Sequence, residues 1–157
     1  MQLGVELDLD MPFKDLLHEA LLNIVRTADV LSQAGEVLFR KHDLTEAQFN
    51  VIFSLKYSGR KVTQSMLGRR LVVTRASITS VLDKLEAKGL VRRVEVPGNR
   101  RTNHVELTDK GKALIDDVEP KYRAVIHEVM SALDEPQVKQ LMRSLESIRA
   151  RVHGLSL

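Results

Sequence analysis

Apolar residues recur at helical spacing along most of the chain. Leu17, Ile24, Leu31 and Leu38 fall seven apart, with Leu21 and Ala28 between them, which predicts one helix from about Pro12 to about Lys41. Thirty helical residues span about 45 Å, more than a small domain needs. The later helix starts carry cap signals. Thr45 and Gln48 have capping-box spacing, and Leu44 with Phe49 can form a hydrophobic staple. The staple spacing recurs as Val62 with Leu67 around Thr63, Val73 with Ile78 around Thr74, and Leu133 with Val138 around Asp134. Helices are therefore expected at 46–57, 64–71 and 75–88, the last stopped by Gly89 as a C-cap. A further helix follows the potential cap Thr108, with the stripe Ile115, Val118, Tyr122, Val125, Val129 and Leu133. Pro120 lies inside it and predicts a kink or a late start. The final helix carries Val138, Leu141, Leu145, Ile148 and Val152.

Residues 90–107 break this pattern. "VRRVEV" and "NHVEL" alternate around Pro97-Gly98-Asn99, the pattern of a hairpin with a tight turn. Only Val72 and Val73 separate the short third helix from the cap of the fourth. Helix, tight turn, helix and hairpin in that order describe a helix-turn-helix followed by a wing. The predicted fold class is mainly α with a small β-hairpin wing. The chain divides into an N-terminal dimerisation helix (1–42), a winged helix-turn-helix DNA-binding domain (43–112) and C-terminal dimerisation helices (113–157). The first and last helices hold more apolar stripe than a winged core of ~65 residues covers, and left bare it would aggregate. Buried against a second copy it becomes a two-fold interface, with Leu17, Leu21, Ile24, Val138, Leu141, Leu145, Ile148 and Val152 along the seam.

Composition narrows the function. The chain has 157 residues, 43% hydrophobic and 29% charged, and no cysteine. Thiolate metal sites, cysteine nucleophiles and disulfide frameworks are excluded. The five histidines lack the i, i+4 spacing of a helical zinc site; His104 and Glu106 on one strand face are a weak pair. No metal or cofactor is expected. No phosphate-cradling glycine loop or nucleophile-elbow motif occurs, so an enzyme is not expected. The acidic N-terminus "MQLGVELDLDMP" has no basic n-region and no apolar run approaches ~20 residues, so a cytoplasmic protein without membrane partners is expected. The net charge of +3 conceals an asymmetry: residues 56–112 hold 14 Lys and Arg against 5 Asp and Glu. A basic centre between acidic ends points to a localised polyanion site.

On the fourth helix, Ile78, Val81, Leu82 and Leu85 fall at core spacing. Ser77, Ser80 and Lys84 share another face, with Thr74, Arg75 and Thr79 near the amino end. Small hydroxyl side chains allow close approach to a major groove and can bond to bases or phosphates. Thr74 also suits a cap, which leaves Arg75, Thr79 and Ser80 without that explanation. Gln64, Ser65 and Arg69 on the third helix are expected to touch backbone. Arg100, Arg101 and Thr102 on the wing are placed to meet phosphate or a minor groove. Double-stranded DNA is the expected partner, with repression the expected action. The alternative is a winged-helix interaction module whose basic face binds an acidic protein.

The stretches "LTEAQFNVI", "VTRASITSVLDKLEAKGLVRR" and "NRRTNHVELTDKG" resemble the MarR (multiple antibiotic resistance regulator) family of bacterial transcription regulators. The likeness covers about Leu44 to Gly111. The family's wing pattern is an acidic residue, one residue, arginine, five residues, then Leu-Thr-x-x-Gly. Arg101, Leu107, Thr108 and Gly111 fit it, whereas Asn99 stands at the acidic position and cannot form the ion pair that orients the family's wing. Val72 stands where the family often has glycine. The resemblance implies an obligate dimer with interlocked terminal helices on a pseudo-palindromic operator. It also implies a small, frequently aromatic or phenolic anionic effector held near the first, second and fifth helices, where Arg26, His18 and Arg40 are candidate partners.

Overall fold

The computed structural model describes residues 3–10, 13–71, 78–96 and 99–155, with backbone alone for 96 and 99–102. The elements are α1 (Leu3–Glu6), α2 (Leu16–Arg40), α3 (Glu46–Lys56), β1 (Val62–Thr63), α4 (Gln64–Arg70), α5 (Ile78–Ala87), β2 (Val91–Val96), β3 (Asn99–Leu107), α6 (Asp109–Met130) and α7 (Glu135–His153). By internal contacts the chain forms two compact units, Met1–Val118 and Glu119–Leu157.

The caps set the helix starts. Thr45 Oγ1 accepts from the Gln48 N–H and Gln48 Oε1 accepts from the Thr45 N–H, so both orphan donors of α3 are satisfied. Thr63 caps α4 through the Met66 N–H, and Asp134 with Gln137 closes a second capping box at α7. Thr74, the expected cap of α5, lies outside the described residues. α2 begins at Leu16, where Asp15 accepts from the Leu17 N–H, a few residues later than the expected start near Pro12. α6 begins at Asp109 and runs through Pro120, so of the two expected effects, a kink or a late start, the late start does not occur. Proline keeps a helical φ and removes one N–H···O bond, a loss that a long helix absorbs when its other turns are paired.

The first unit is built around α3. Phe49, Val51 and Ile52 are almost wholly buried, with Leu67 of α4, Val81, Leu82 and Leu85 of α5, Val62, Val91 and Val105 of the sheet, and Ile115 and Val118 of α6. Phe39 of α2 stacks on Phe49 with ring centroids 4.3 Å apart, which anchors the end of the long helix to the core. Asp43 closes the α2–α3 turn at φ 54°, a left-handed conformation that aspartate tolerates better than most residues.

The sheet has three antiparallel strands in the order β1-β3-β2. Val62 pairs with Val105, and Arg93 pairs with Val105 from the other side. Beyond Glu95 the register slips by a bulge before the turn. The base of this wing is locked to α6. Thr108 Oγ1 donates to the Gly89 carbonyl at 2.7 Å and accepts from the Gly111 N–H at 3.0 Å, while the Thr108 N–H bonds to the Leu90 carbonyl. A Cβ on Gly111 would sit 2.1 Å from that same Leu90 oxygen. The Leu-Thr-x-x-Gly run is thus a docking device, in which threonine caps α6 and glycine lets it press against the end of the helix-to-strand turn. Gly89 makes that turn at φ 68°.

Candidate nucleic-acid interface

α4 and α5 meet in a short, tight contact. A Cβ on Gly68 would lie 3.6 Å from Ile78 Cγ2, so a methyl group added there would just reach the neighbouring helix. Val81, Leu82 and Leu85 turn into the core and Ile78 is half-buried. Thr79, Ser80, Asp83 and Lys84 are consequently exposed. Gln64 Nε2 donates to Thr79 Oγ1 at 2.7 Å, which ties the first turn of α4 to the exposed hydroxyl face of α5. Arg69 donates to Ser65 Oγ at 3.0 Å along α4, and Arg70 reaches Ser58 Oγ at 2.5 Å.

Gln64, Ser65, Arg69, Thr79 and Ser80 therefore gather around one helix pair. Thr74, Arg75 and Ser77 lie outside the described residues. Arg100, Arg101 and Thr102 follow the hairpin turn on β3 as backbone, and their side chains lie outside the description. Lys84 stands one turn further along α5 than Ser80. It lines a groove of about 460 Å³ with Arg40, Asp43, Gln48 and Lys88.

A model of the MarR family matches residues 42–102. The transcriptional regulator MhqR of Bacillus subtilis is 34% identical over 108 residues, covering 69% of this chain and 74% of its own. The chain belongs to the MarR family. The transcriptional repressor MprA of Escherichia coli is 26% identical over 142 residues, covering 88% of this chain and 80% of its own. Among solved structures, the transcriptional regulator MOSR of Mycobacterium tuberculosis, crystallised in complex with DNA, superposes with a TM-score of 0.67. It is 30% identical and covers 85% of this chain and 97% of its own.

Within this MarR-family chain the charges sort themselves by position. Four of the five acids in the basic central segment are held by its own cations. Arg92 spans β2 and β3 to Glu106 at 2.9 Å, and Lys112 pairs with Asp109. Arg93 takes Asp83 at 2.6 Å and Glu86 at 2.5 Å, both on α5. Burial works against the charge on Arg93, but the hydrogen bonds to Asp83 and Glu86 outweigh it and hold the pKa above the ordinary arginine value. The arginines of "VRRVEV" thus have acidic partners within the chain, and among the described residues of this segment Arg69 and Arg70 bond to serine hydroxyls instead. Sequence reading missed the Arg93 pairing; its only trace was the i, i+3 spacing of Asp83 and Glu86, which puts them on one helix face. It also missed Lys88, which donates to the Asp43 carbonyl and lies 3.0 Å from Asp43 Oδ2.

Asn99 departs from the family's acidic wing position; its backbone pairs with Val96 and its side chain lies outside the description. Of the residues expected at the dimer seam, Leu17, Leu21, Leu141, Ile148 and Val152 are exposed in the single chain, and Ile24, Val138 and Leu145 are half-buried. No residue of α7 is buried. Of the candidate effector contacts, Arg26 pairs with Glu6 and Asp29, His18 edges the Phe13 ring, and Arg40 lies 3.7 Å from Glu36. Among the described residues no helix is long and apolar enough to cross a membrane.

Proposed function

We propose that this protein is a homodimeric, DNA-binding regulator of transcription, acting as a cytoplasmic repressor by binding and not by catalysis. α5 enters the major groove with Thr79 and Ser80, preceded by Thr74, Arg75 and Ser77. Gln64, Ser65 and Arg69 meet the backbone, and Arg100, Arg101 and Thr102 of the wing meet the flanking phosphates or minor groove. One observation carries this reading: Thr79 and Ser80 are exposed on a helix whose opposite face buries Val81, Leu82 and Leu85, and Gln64 bonds to that exposed face through Thr79. The names of the relatives and the DNA-bound structure favour this reading over the acidic-protein one.

Dimerisation rests on the bare stripes. A 19-residue helix with no buried residue gains its stability from tertiary packing, and a second copy supplies it. Two winged units on a two-fold axis read half-sites about one helical turn apart, ~10 base pairs.

A small aromatic or anionic effector has a groove available in the first unit. It holds about 560 Å³ between the end of α3, the base of the sheet and the start of α6. Arg60 and Lys61 stand at this groove beside the ion pairs Lys56–Asp116 and Arg92–Glu106. A carboxylate or phenolate there would compete with Asp116 and Glu106 for their cations.

The test is selection of bound duplexes from a random pool by the purified full chain. An inverted repeat with half-sites about one turn apart is the expected result. Recovery of unrelated sequences, at the same yield as without protein, would overturn the proposal. Salicylate, as a phenolic carboxylate probe, is expected to raise the melting temperature and release the selected duplex; no effect of this and related phenolic acids removes the effector from the proposal.

A further inference from the structure

We propose that Arg93 is a positioning residue that makes the recognition helix and the wing one rigid reading head. The inference rests on the proposed function above. Arg93 is central in β2, opposite Val105 of β3. Its backbone N–H donates to Glu86 Oε1 at 3.0 Å, Nη1 donates to Glu86 Oε2, and Nη2 donates to Asp83 Oδ1 at 2.6 Å. One residue of the wing thus makes three charge-assisted bonds across a full turn of α5. The Arg93 side chain is 20% exposed, while Asp83 and Glu86 reach it from the more open face of α5. A planar fork held at both ends fixes orientation as well as distance, which a lysine cannot do.

The position of the clamp gives it consequence. Asp83 follows Ser80 by three residues and Thr79 by four, so the clamped turn of α5 is the one next to its exposed hydroxyl face. Arg93 lies three residues before Val96, the last residue of β2 before the wing turn. Among the described residues, the core side chains on α5 and the wing strands are apolar: Val81, Leu82 and Leu85 on the helix, and Val91 and Val105 on the strands, are all buried. Apolar packing is non-directional, so it permits small rotations of the helix on the sheet. The fork removes that freedom. Base-edge contacts need the helix placed well within an ångström, and wing contacts need their phosphates at the same time. Arg93 touches neither; it sets the angle between the elements that do.

Electrostatics alone makes the opposite forecast, which lets the two be separated. Replacing Asp83 and Glu86 by Asn and Gln removes two negative charges close to the proposed DNA face. If the cluster acted only through the field, binding to every duplex would tighten. The clamp predicts instead that the D83N/E86Q chain loses specific affinity by about tenfold or more, the loss expected when a good base contact is misplaced. Binding to scrambled duplex should stay within about twofold or tighten. Arg93→Leu should show the same split, and Arg93→Lys should retain a charge yet restore only part of the specificity.

A second measurement needs no DNA. The chain has no cysteine, so paired spin labels at Ala87→Cys on α5 and Glu95→Cys on β2 report one distance when diluted into unlabelled chain. The unaltered clamp should give a narrow distribution, and D83N/E86Q or Arg93→Leu a clearly broader one. Parallel loss on selected and scrambled duplexes, or a distribution as narrow as with Arg93 intact, overturns the inference. If the unaltered chain prefers no duplex at all, the function has failed, and the spin-label widths still decide whether the clamp exists. Should Arg93→Leu not fold, D83N/E86Q carries both measurements, since it preserves shape and volume.

Discussion

Among the described glycines, Gly111 is the one where an added methyl group meets the closest obstacle. An alanine Cβ there falls 2.1 Å from the Leu90 carbonyl oxygen, 3.0 Å from its carbon and 3.3 Å from Leu107 Cδ2. A normal non-bonded separation is ~3.5 Å, so the start of α6 or the Leu90 backbone must retreat by about 1.4 Å. The obstacle is backbone, which no rotamer change moves aside. Overpacking of this kind costs roughly 1–3 kcal/mol. The retreat also parts the Thr108 N–H from the Leu90 carbonyl, now 3.1 Å apart. Leu90 is 3% exposed, so its carbonyl would lose its partner out of reach of water, at roughly 1–3 kcal/mol more. Together Gly111→Ala should destabilise by about 2–6 kcal/mol, and at ~2–4 °C per kcal/mol for a chain of this size lower the melting temperature by about 4–24 °C. Gly59→Ala is the control: nothing lies within 4 Å of its Cβ position, and a change within ~0.5 kcal/mol is expected. Thermal melts followed by circular dichroism measure both. A Gly111→Ala chain melting within about 2 °C of the parent would show that α6 is not pinned by this contact.

Three further outcomes follow from the same structure. Phe49→Ala removes a ring that is 1% exposed and stacked on Phe39; a loss of ~3–5 kcal/mol is expected, read as a lowered urea midpoint. Arg101→Ala should weaken binding to all duplexes alike and reduce the slope of log affinity against log salt by about 0.9 for each phosphate no longer neutralised, so by ~1.8 for a dimer. An unchanged slope between 50 and 200 mM salt would remove the wing from the interface. Leu141→Glu places a carboxylate on an exposed apolar stripe of α7; light scattering should show dissociation toward single chains, and an unaltered mass would put the dimer seam elsewhere.

Much of the architecture was legible because it is specified locally. The caps at Thr45, Thr63 and Asp134 and the stop at Gly89 are short-range devices whose partners lie within five residues, and the structure forms each of them. The pairing of β2 with β3 was legible from alternation; Pro97 and Gly98 of the expected turn lie outside the described residues. β1 was not, because two residues carry no period; it exists through its pairing with β3, a partner some forty residues away. Pro120 did not delay the start of α6, because the cost of a proline is set by the turns around it as well as by the proline itself. The candidate site divides the same way. The exposed hydroxyl face of α5 could be read as the complement of its apolar face. The sorting of cations could not, because Arg92 and Arg93 have the same composition and charge as any DNA-binding pair. Only the fold shows that Glu106 pairs with Arg92 and that Asp83 and Glu86 pair with Arg93.

The central claim is that two copies of this chain read one duplex with helix and wing together. Its most direct test is fluorescence anisotropy of the selected and scrambled duplexes across a salt series, with the mass of the complex measured alongside. The account predicts two chains per duplex and a preference for the selected sequence of ~10³-fold or more at physiological salt. A complex holding one chain, or two affinities that stay within a few-fold of each other at every salt concentration, would contradict it.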